Sequence, residues 1–85
     1  MARYNIVVRK SVAKDLDRIP KKDVRKILQA IRSLTDNPRP PQSKKLSGQE
    51  RYRIRQGNYR ILYSIEDDIL TVCVVKVRHR RDVYR

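Results

Sequence analysis

The stretch RYRIRQGNYRILY, residues 51–63, decides how this chain folds. Tyr52 and Ile54, then Tyr59, Ile61 and Tyr63, alternate with Arg51, Arg53 and Arg55, then Arg60 and Leu62. That period of two is the mark of a strand with unlike faces. Gln56-Gly57-Asn58 separates the two runs, and Gly and Asn accept the positive φ of a tight hairpin turn. With Gly57-Asn58 as a two-residue loop, Arg55 stands opposite Arg60, and Arg53 shares their face. Like charges opposed across a sheet are destabilising, so three guanidinium groups on one face point to a polyanion that binds there. The plainer alternative is a solvated strand face whose long side chains splay into water.

Outward toward the C-terminus, Glu66-Asp67-Asp68 makes a second, acidic turn. Ile69–Val77 (ILTVCVVKV) is the most apolar run of the chain, and its β-branched content predicts a central strand. A two-residue loop at Asp67-Asp68 would pair Leu62 with Cys73 and Arg60 with Val75. Arg53, Arg55, Arg60, Cys73, Val75 and Val77 would then share one face, and Ile54, Ile61, Tyr63, Val72 and Val74 the other. A slip of one residue in either loop would exchange the faces. The ending, Arg78-His79-Arg80-Arg81-Asp82-Val83-Tyr84-Arg85, gathers four arginines, the only His and a Tyr beside the arginine face.

Outward toward the N-terminus, Lys44-Lys45-Leu46-Ser47-Gly48 leads into the hairpin, with Leu46 expected to anchor the loop to the core. Residues 39–43 (RPPQS) read as an exposed extended loop. Val24, Ile27, Leu28, Ile31 and Leu34 form an apolar stripe at helical spacing. Val12, Leu16 and Ile19 form a shorter one behind Ser11, a plausible N-cap, and Pro20 stops that helix. Few residues join the two helices, so they should form an antiparallel hairpin that covers the sheet. Residues 2–9 (ARYNIVVR) alternate as a strand, expected well inside the sheet. The expected fold is α+β: one small domain over residues 1–85, ordered β-α-α-β-β-β, with a helical hairpin on one face of a mainly antiparallel, twisted sheet.

The bulk numbers agree with a small basic binding domain. The chain has 85 residues, with 22 Lys+Arg against 9 Asp+Glu and a formal net charge of +13. Such a field attracts nucleic acid, an anionic membrane or an acidic protein. Five Tyr and no Trp or Phe leave a core of Ile, Leu and Val, which predicts modest stability alone. One Cys and one His exclude an intrachain disulfide, a Cys-based metal cluster and a His-pair site. No metal or other cofactor is expected. No apolar run approaches the roughly 18 residues of a membrane span, and neither helix has the apolar-plus-basic pattern of a membrane-surface binder. The N-terminus lacks a signal peptide's apolar segment, so a reduced, cytoplasmic setting is the expectation.

Arginine offers phosphate a planar fork that never loses its charge, and tyrosine stacks on bases. An RNA ligand fits this cluster, with Lys44, Lys45, Arg51 and Arg78 as further contacts. RNA also carries its own nucleophile, the 2′-OH. Cleavage would need charge stabilisation, which arginines supply, and proton transfer, for which His79 is the one side chain of suitable type. His79 as an ordinary hydrogen-bonded or exposed residue is the competing reading. Cys73 reads as a small buried apolar residue.

The order of elements, together with DNPRPPQSKKLSG, YRIRQGNYRILYSI and VVKVRHRRDVYR, resembles the RelE-type toxins of the RelE/ParE superfamily over essentially the whole chain. The resemblance implies a toxin of a toxin–antitoxin operon that enters the ribosomal A site and cleaves mRNA there without a metal. It also implies a cognate acidic antitoxin that wraps the toxin. By position, Arg53 and Arg55 match the two basic residues of the first hairpin strand, and Arg60 matches a phosphate-contacting Arg. Arg80 or Arg81 matches the tail Arg, Tyr84 the Tyr that orients the base, and His79 the place where several relatives have a catalytic His. The family pattern has Lys where this chain has Arg53 and Arg55. Arg does not act as a base, so proton transfer falls to His79, to Glu50 or to the ribosome. The rival readings are a ParE-like inhibitor of DNA gyrase and a basic module that binds RNA or ribosomes without cutting.

Overall fold

The structure, a computed structural model, describes residues 3–48 and 50–81. β1 (Asn5–Val8) leads into two helices, α1 (Lys10–Asp17) and α2 (Lys21–Ser33), and then into β2 (Lys44–Lys45), β3 (Tyr52–Gln56), β4 (Tyr59–Glu66) and β5 (Thr71–His79). The strands form one sheet in the order β1-β5-β4-β3-β2. Only the β1–β5 pairing is parallel; the other three are antiparallel. The expected α+β arrangement is therefore present, with one more strand than the sequence reading assigned. Lys44 and Lys45 pair with Arg53 and Tyr52 and form a short, charged edge, which discourages pairing with a further chain.

β1 corrects an expectation. It lies at the edge of the sheet, and Val7 and Val8 are 50% and 43% exposed. The β4–β5 hairpin occupies one side of β5, so β1 takes the other side and, among the described residues, meets no further strand. Arg9 N–H still donates to Val74 C=O at 3.1 Å, and the chain turns helical at the next residue. That turn makes Arg9 the N-cap and leaves Ser11 inside the helix. α1 ends at Asp17, and Pro20 caps the start of α2 instead of stopping α1. Its φ of −55° suits that position, and its carbonyl accepts the Asp23 and Val24 N–H groups.

The core lies between the helices and one sheet face. Val12 of α1 and Ile27, Ile31 and Leu34 at α2 meet Ile54, Ile61, Tyr63, Val72, Val74 and Val77. Leu28 stands on the flank of the α2 stripe and is 39% exposed.

The first hairpin has the expected register, with Arg55 opposite Arg60 and Ile54 opposite Ile61. The second does not. The loop is longer than two residues: a 3₁₀ turn spans Asp67–Ile69, Leu70 follows at φ 47°, and Glu66 pairs with Thr71. Two extra loop residues move the register without exchanging faces. A bulge then adds one residue to β5, because Tyr63 pairs with Val74 while Leu62 pairs with Lys76. A single added residue does exchange faces beyond it. Cys73 and Val75 stay off the core face as expected, whereas Val77 turns into the core and Arg78 comes opposite Arg60.

The proline-rich loop is fastened rather than free. The Arg39 guanidinium donates to both Asp67 carboxylate oxygens, at 3.1 and 2.9 Å, and its Nε donates to Tyr52 Oη at 3.2 Å. Tyr4 Oη donates to the same carboxylate at 2.6 Å. Arg39 also lies over the Tyr52 ring, which stacks on Tyr63, and the buried Tyr63 hydroxyl donates to Pro38 C=O at 2.7 Å. Burial pushes the Tyr63 phenol up to about 12. The bond from Arg39, then that from Tyr4, holds the Asp67 carboxyl down from 3.8 to about 2. A depressed folded-state pKa contributes stability that is present above the unfolded value and lost as pH falls through the folded one. The stability difference between the wild type and Asp67→Asn should accordingly be largest above 3.8 and vanish as pH falls toward about 2, as read by urea unfolding across that range.

Candidate nucleic-acid interface

The sheet face turned away from the core carries the basic residues. Register places Arg55, Arg60 and Arg78 side by side across β3, β4 and β5. One step along the strands, Lys44, Arg53, Leu62 and Lys76 form a second row across β2 to β5. The two rows set six cationic side chains beside the neutral Leu62, from strands far apart in sequence, on one surface. Arg55 is exposed, while Arg53, Arg60, Lys76 and Arg78 are half-buried.

Beside the rows runs a groove of about 580 Å³ whose floor is Leu62 and Val75 and whose rim includes Leu46, Arg51, Arg53 and Arg78. Leu62 and Val75 are 7% and 5% exposed although they face away from the helices. Arg9, Arg51, Arg53, Lys76 and Arg78 surround this apolar floor, and the long aliphatic stems of such residues suit a lining of that kind. Leu46 is half-buried there, its N–H bonded to Arg51 C=O at 2.8 Å. It anchors the loop to this groove, not to the main core. Among the described residues, no Asp or Glu lines the groove. The arrangement suits a chain of phosphates with apolar or aromatic surface between them.

Of the residues singled out from sequence, Arg53, Arg55, Arg60, Lys44, Arg51 and Arg78 come together here. Lys45 does not: it pairs with Tyr52 and so turns to the other face, where its Nζ lies 3.5 Å from Glu50. Glu50 is exposed. His79 pairs with Tyr59 rather than with an arginine, and the two rings meet edge to face at 5.3 Å. Tyr59 packs against the core, so the His79 ring stands on the helix side of the sheet, with its Nδ1 accepting the Arg81 N–H at 3.1 Å. Arg80 and Arg81 lie just past β5, exposed, and Arg80 N–H donates to Asn58 C=O at 2.6 Å. Tyr84 lies outside the described residues.

The sequence reading treated Arg78 as a peripheral contact and passed over Lys76. The structure puts both in the rows. Only the bulge brings them there, and its one signal in the sequence is that an unbroken register would point Val77 away from the core.

The opposed arginines predict a trade of stability for binding. Arg55→Thr should stabilise the free protein by about 0.2–1 kcal/mol, less at high salt. It should also lower the salt dependence of RNA binding by about one phosphate contact. Urea melts and salt titrations of the same variant check both.

Comparison with known proteins agrees with the fold. The family described as ParE toxin of type II toxin-antitoxin system, parDE, matches residues 6–84. Toxin RelG of Mycobacterium tuberculosis is 30% identical over 86 residues, covering 96% of this chain and 97% of RelG. The archaeal RelE-RelB complex of Pyrococcus horikoshii contains a chain that superposes with a TM-score of 0.84 at 29% identity, covering 95% of this chain and 99% of that one. The toxin-antitoxin complex RelBE2 of M. tuberculosis gives a TM-score of 0.84 at 27% identity, over 96% of this chain and 97% of that one.

Proposed function

The chain belongs to the ParE toxin family of type II toxin–antitoxin systems, and from that premise we propose that it is a ribosome-dependent endoribonuclease of the RelE kind, which cuts mRNA in the ribosomal A site. The observation that carries this reading is the cross-strand row Arg55–Arg60–Arg78 on the face that the helices leave uncovered. Three arginines on neighbouring strands offer forked donors to the scissile phosphate and its neighbours.

The chemistry follows from RNA itself. The 2′-oxygen loses its proton and attacks phosphorus, the bond to the 5′-oxygen breaks, and that oxygen takes up a proton. The products are a 2′,3′-cyclic phosphate and a 5′-hydroxyl. Arg60, at the centre of the row, with Arg55 and Arg78 beside it, stabilises the extra negative charge of the five-coordinate phosphorus. Arg53 and Lys76 hold the adjoining phosphate, and Tyr84, Arg80 and Arg81 meet the substrate from the tail. Guanidinium groups do not exchange protons at ordinary pH, and the His79 ring stands on the opposite face, so the row contributes charge while water or the ribosome moves the protons. The cleavage rate should rise roughly tenfold per pH unit between about pH 6 and 8, without the bell shape of a histidine acid–base pair.

A cognate acidic antitoxin is the proposed partner. The relatives crystallised as RelE-RelB and RelBE2 complexes support it, as does the net charge of +13, which an anionic partner would neutralise.

The test uses purified protein, intact ribosomes and an mRNA with a defined A-site codon, with naked mRNA in EDTA as control. Cuts confined to that codon, with cyclic or 3′-phosphate ends, are expected. Arg60→Ala should cut about 10²–10³ times more slowly with ribosome affinity largely kept. An intact mRNA after incubation with well-folded wild type would sink the reading, and inhibition of gyrase supercoiling by the same preparation would replace it with a ParE-like one.

A further inference from the structure

A second cavity lies beside the arginine face, between α1 and the stretch of β5 beyond β1. β1 partners β5 only as far as Val74. Beyond that point α1 takes the place of a strand: Asp15 Oδ2 accepts the Val77 N–H at 3.3 Å. The cleft left between them holds about 410 Å³, within the range of small-ligand sites, roughly 300–1,000 Å³. Its wall is Ile19 with the edge-to-face pair Tyr59 and His79, Asp15 lies in its lining, and Arg18 joins the rim. Lys76 and Arg78 line both this cleft and the groove of the arginine face. One extended strand of RNA can therefore leave the phosphate row at Arg78 and turn over the edge of β5 into the cleft.

We propose that this cleft is a base-recognition pocket, which takes one unpaired nucleobase of an RNA whose phosphates lie along Arg55, Arg60 and Arg78. The inference rests on the RNA-binding part of the proposed function. Tyr59 and His79 supply aromatic surface already braced by their mutual contact. The Asp15 carboxylate offers about four acceptor positions, and the Val77 N–H uses one. The remainder accept the exocyclic amine of adenine or cytosine and repel the keto oxygen that uracil presents in its place. Arg18 and Lys76 balance the flanking phosphate. The contents of this pocket make the protein sensitive to which base is bound, a property the arginine row lacks because phosphates are alike in every nucleotide.

The test is fluorescence anisotropy with labelled RNA pentamers at low salt, using the full-length chain. In one series each base is removed in turn; in another the base at the responsive position is varied. Removal at one position should weaken binding about tenfold, the loss of one stacked base, and removal elsewhere should have little effect. Adenine or cytosine should be preferred over uracil at that position. Asp15→Asn keeps an amide oxygen for the Val77 N–H and adds an N–H donor, so it should reverse that preference while its thermal melt stays that of a folded protein. Equal losses at all positions, the same base ranking in wild type and Asp15→Asn, or no binding of any pentamer would overturn the proposal. Cleavage on ribosomes is scored separately on the same preparation. Cutting with a flat base-removal series removes the pocket and keeps the nuclease; position-dependent binding without cutting does the reverse.

Discussion

One inserted residue in β5 governs what both faces of this sheet contain. Near the turn, Tyr63 pairs with Val74 and Ile65 with Val72, which keeps these residues in the core. One residue farther the ladder jumps, and Val77 replaces Lys76 as the inward residue opposite Ile61. Without the jump, Val77 would face solvent, and Lys76 and Arg78 would be driven into an apolar core with no acidic partner, a cost of several kcal/mol for each charge. The bulge is therefore the arrangement that satisfies the β4–β5 hydrogen bonds and the burial pattern together. The same step that buries Val77 delivers Arg78 to the arginine row.

That row carries a standing electrostatic cost. Arg55, Arg60 and Arg78 are adjacent across three strands within a chain of net charge +13. At ordinary ionic strength, screening acts over about 8–10 Å, longer than the spacing of neighbouring strands, so the repulsion is only partly damped. A core of aliphatic side chains under two short helices has little stability to spare. An anion bound there, whether a phosphate chain or an acidic protein, would relieve that cost.

The opposite end of the sheet is held by different means. There the Arg39–Asp67 pair, with Tyr4, Tyr52 and Tyr63 around it, ties the proline-rich loop to the β4–β5 turn and to the residues just before β1. Bidentate geometry and a third hydrogen bond make this more than an isolated surface pair. It closes the open end of the core, so the basic end can be built for binding instead of for cohesion.

The alternation of Tyr, Ile and Arg through residues 51–63 by itself determined the first hairpin, its register and the existence of a basic face, because side-chain period and turn chemistry are local properties. The apolar stripes of α2 and α1 likewise determined that two helices cover the other face, and the matching motifs pointed to the toxin family. Local information could not specify the position of β1, because a strand's place in a sheet depends on which edges other strands leave open. It could not specify the bulge either, since ILTVCVVKV is apolar enough to accept either face at several positions, and the choice is made by the packing of β4 and the helices against it. Arg78 in the row, His79 on the far face and the cleft beside Asp15 follow from that choice, while Arg39 as a structural cation follows from its pairing with Asp67 in the β4–β5 turn. They were decided by the tertiary structure, where residues distant in sequence compete for the same buried surface and the same hydrogen bonds.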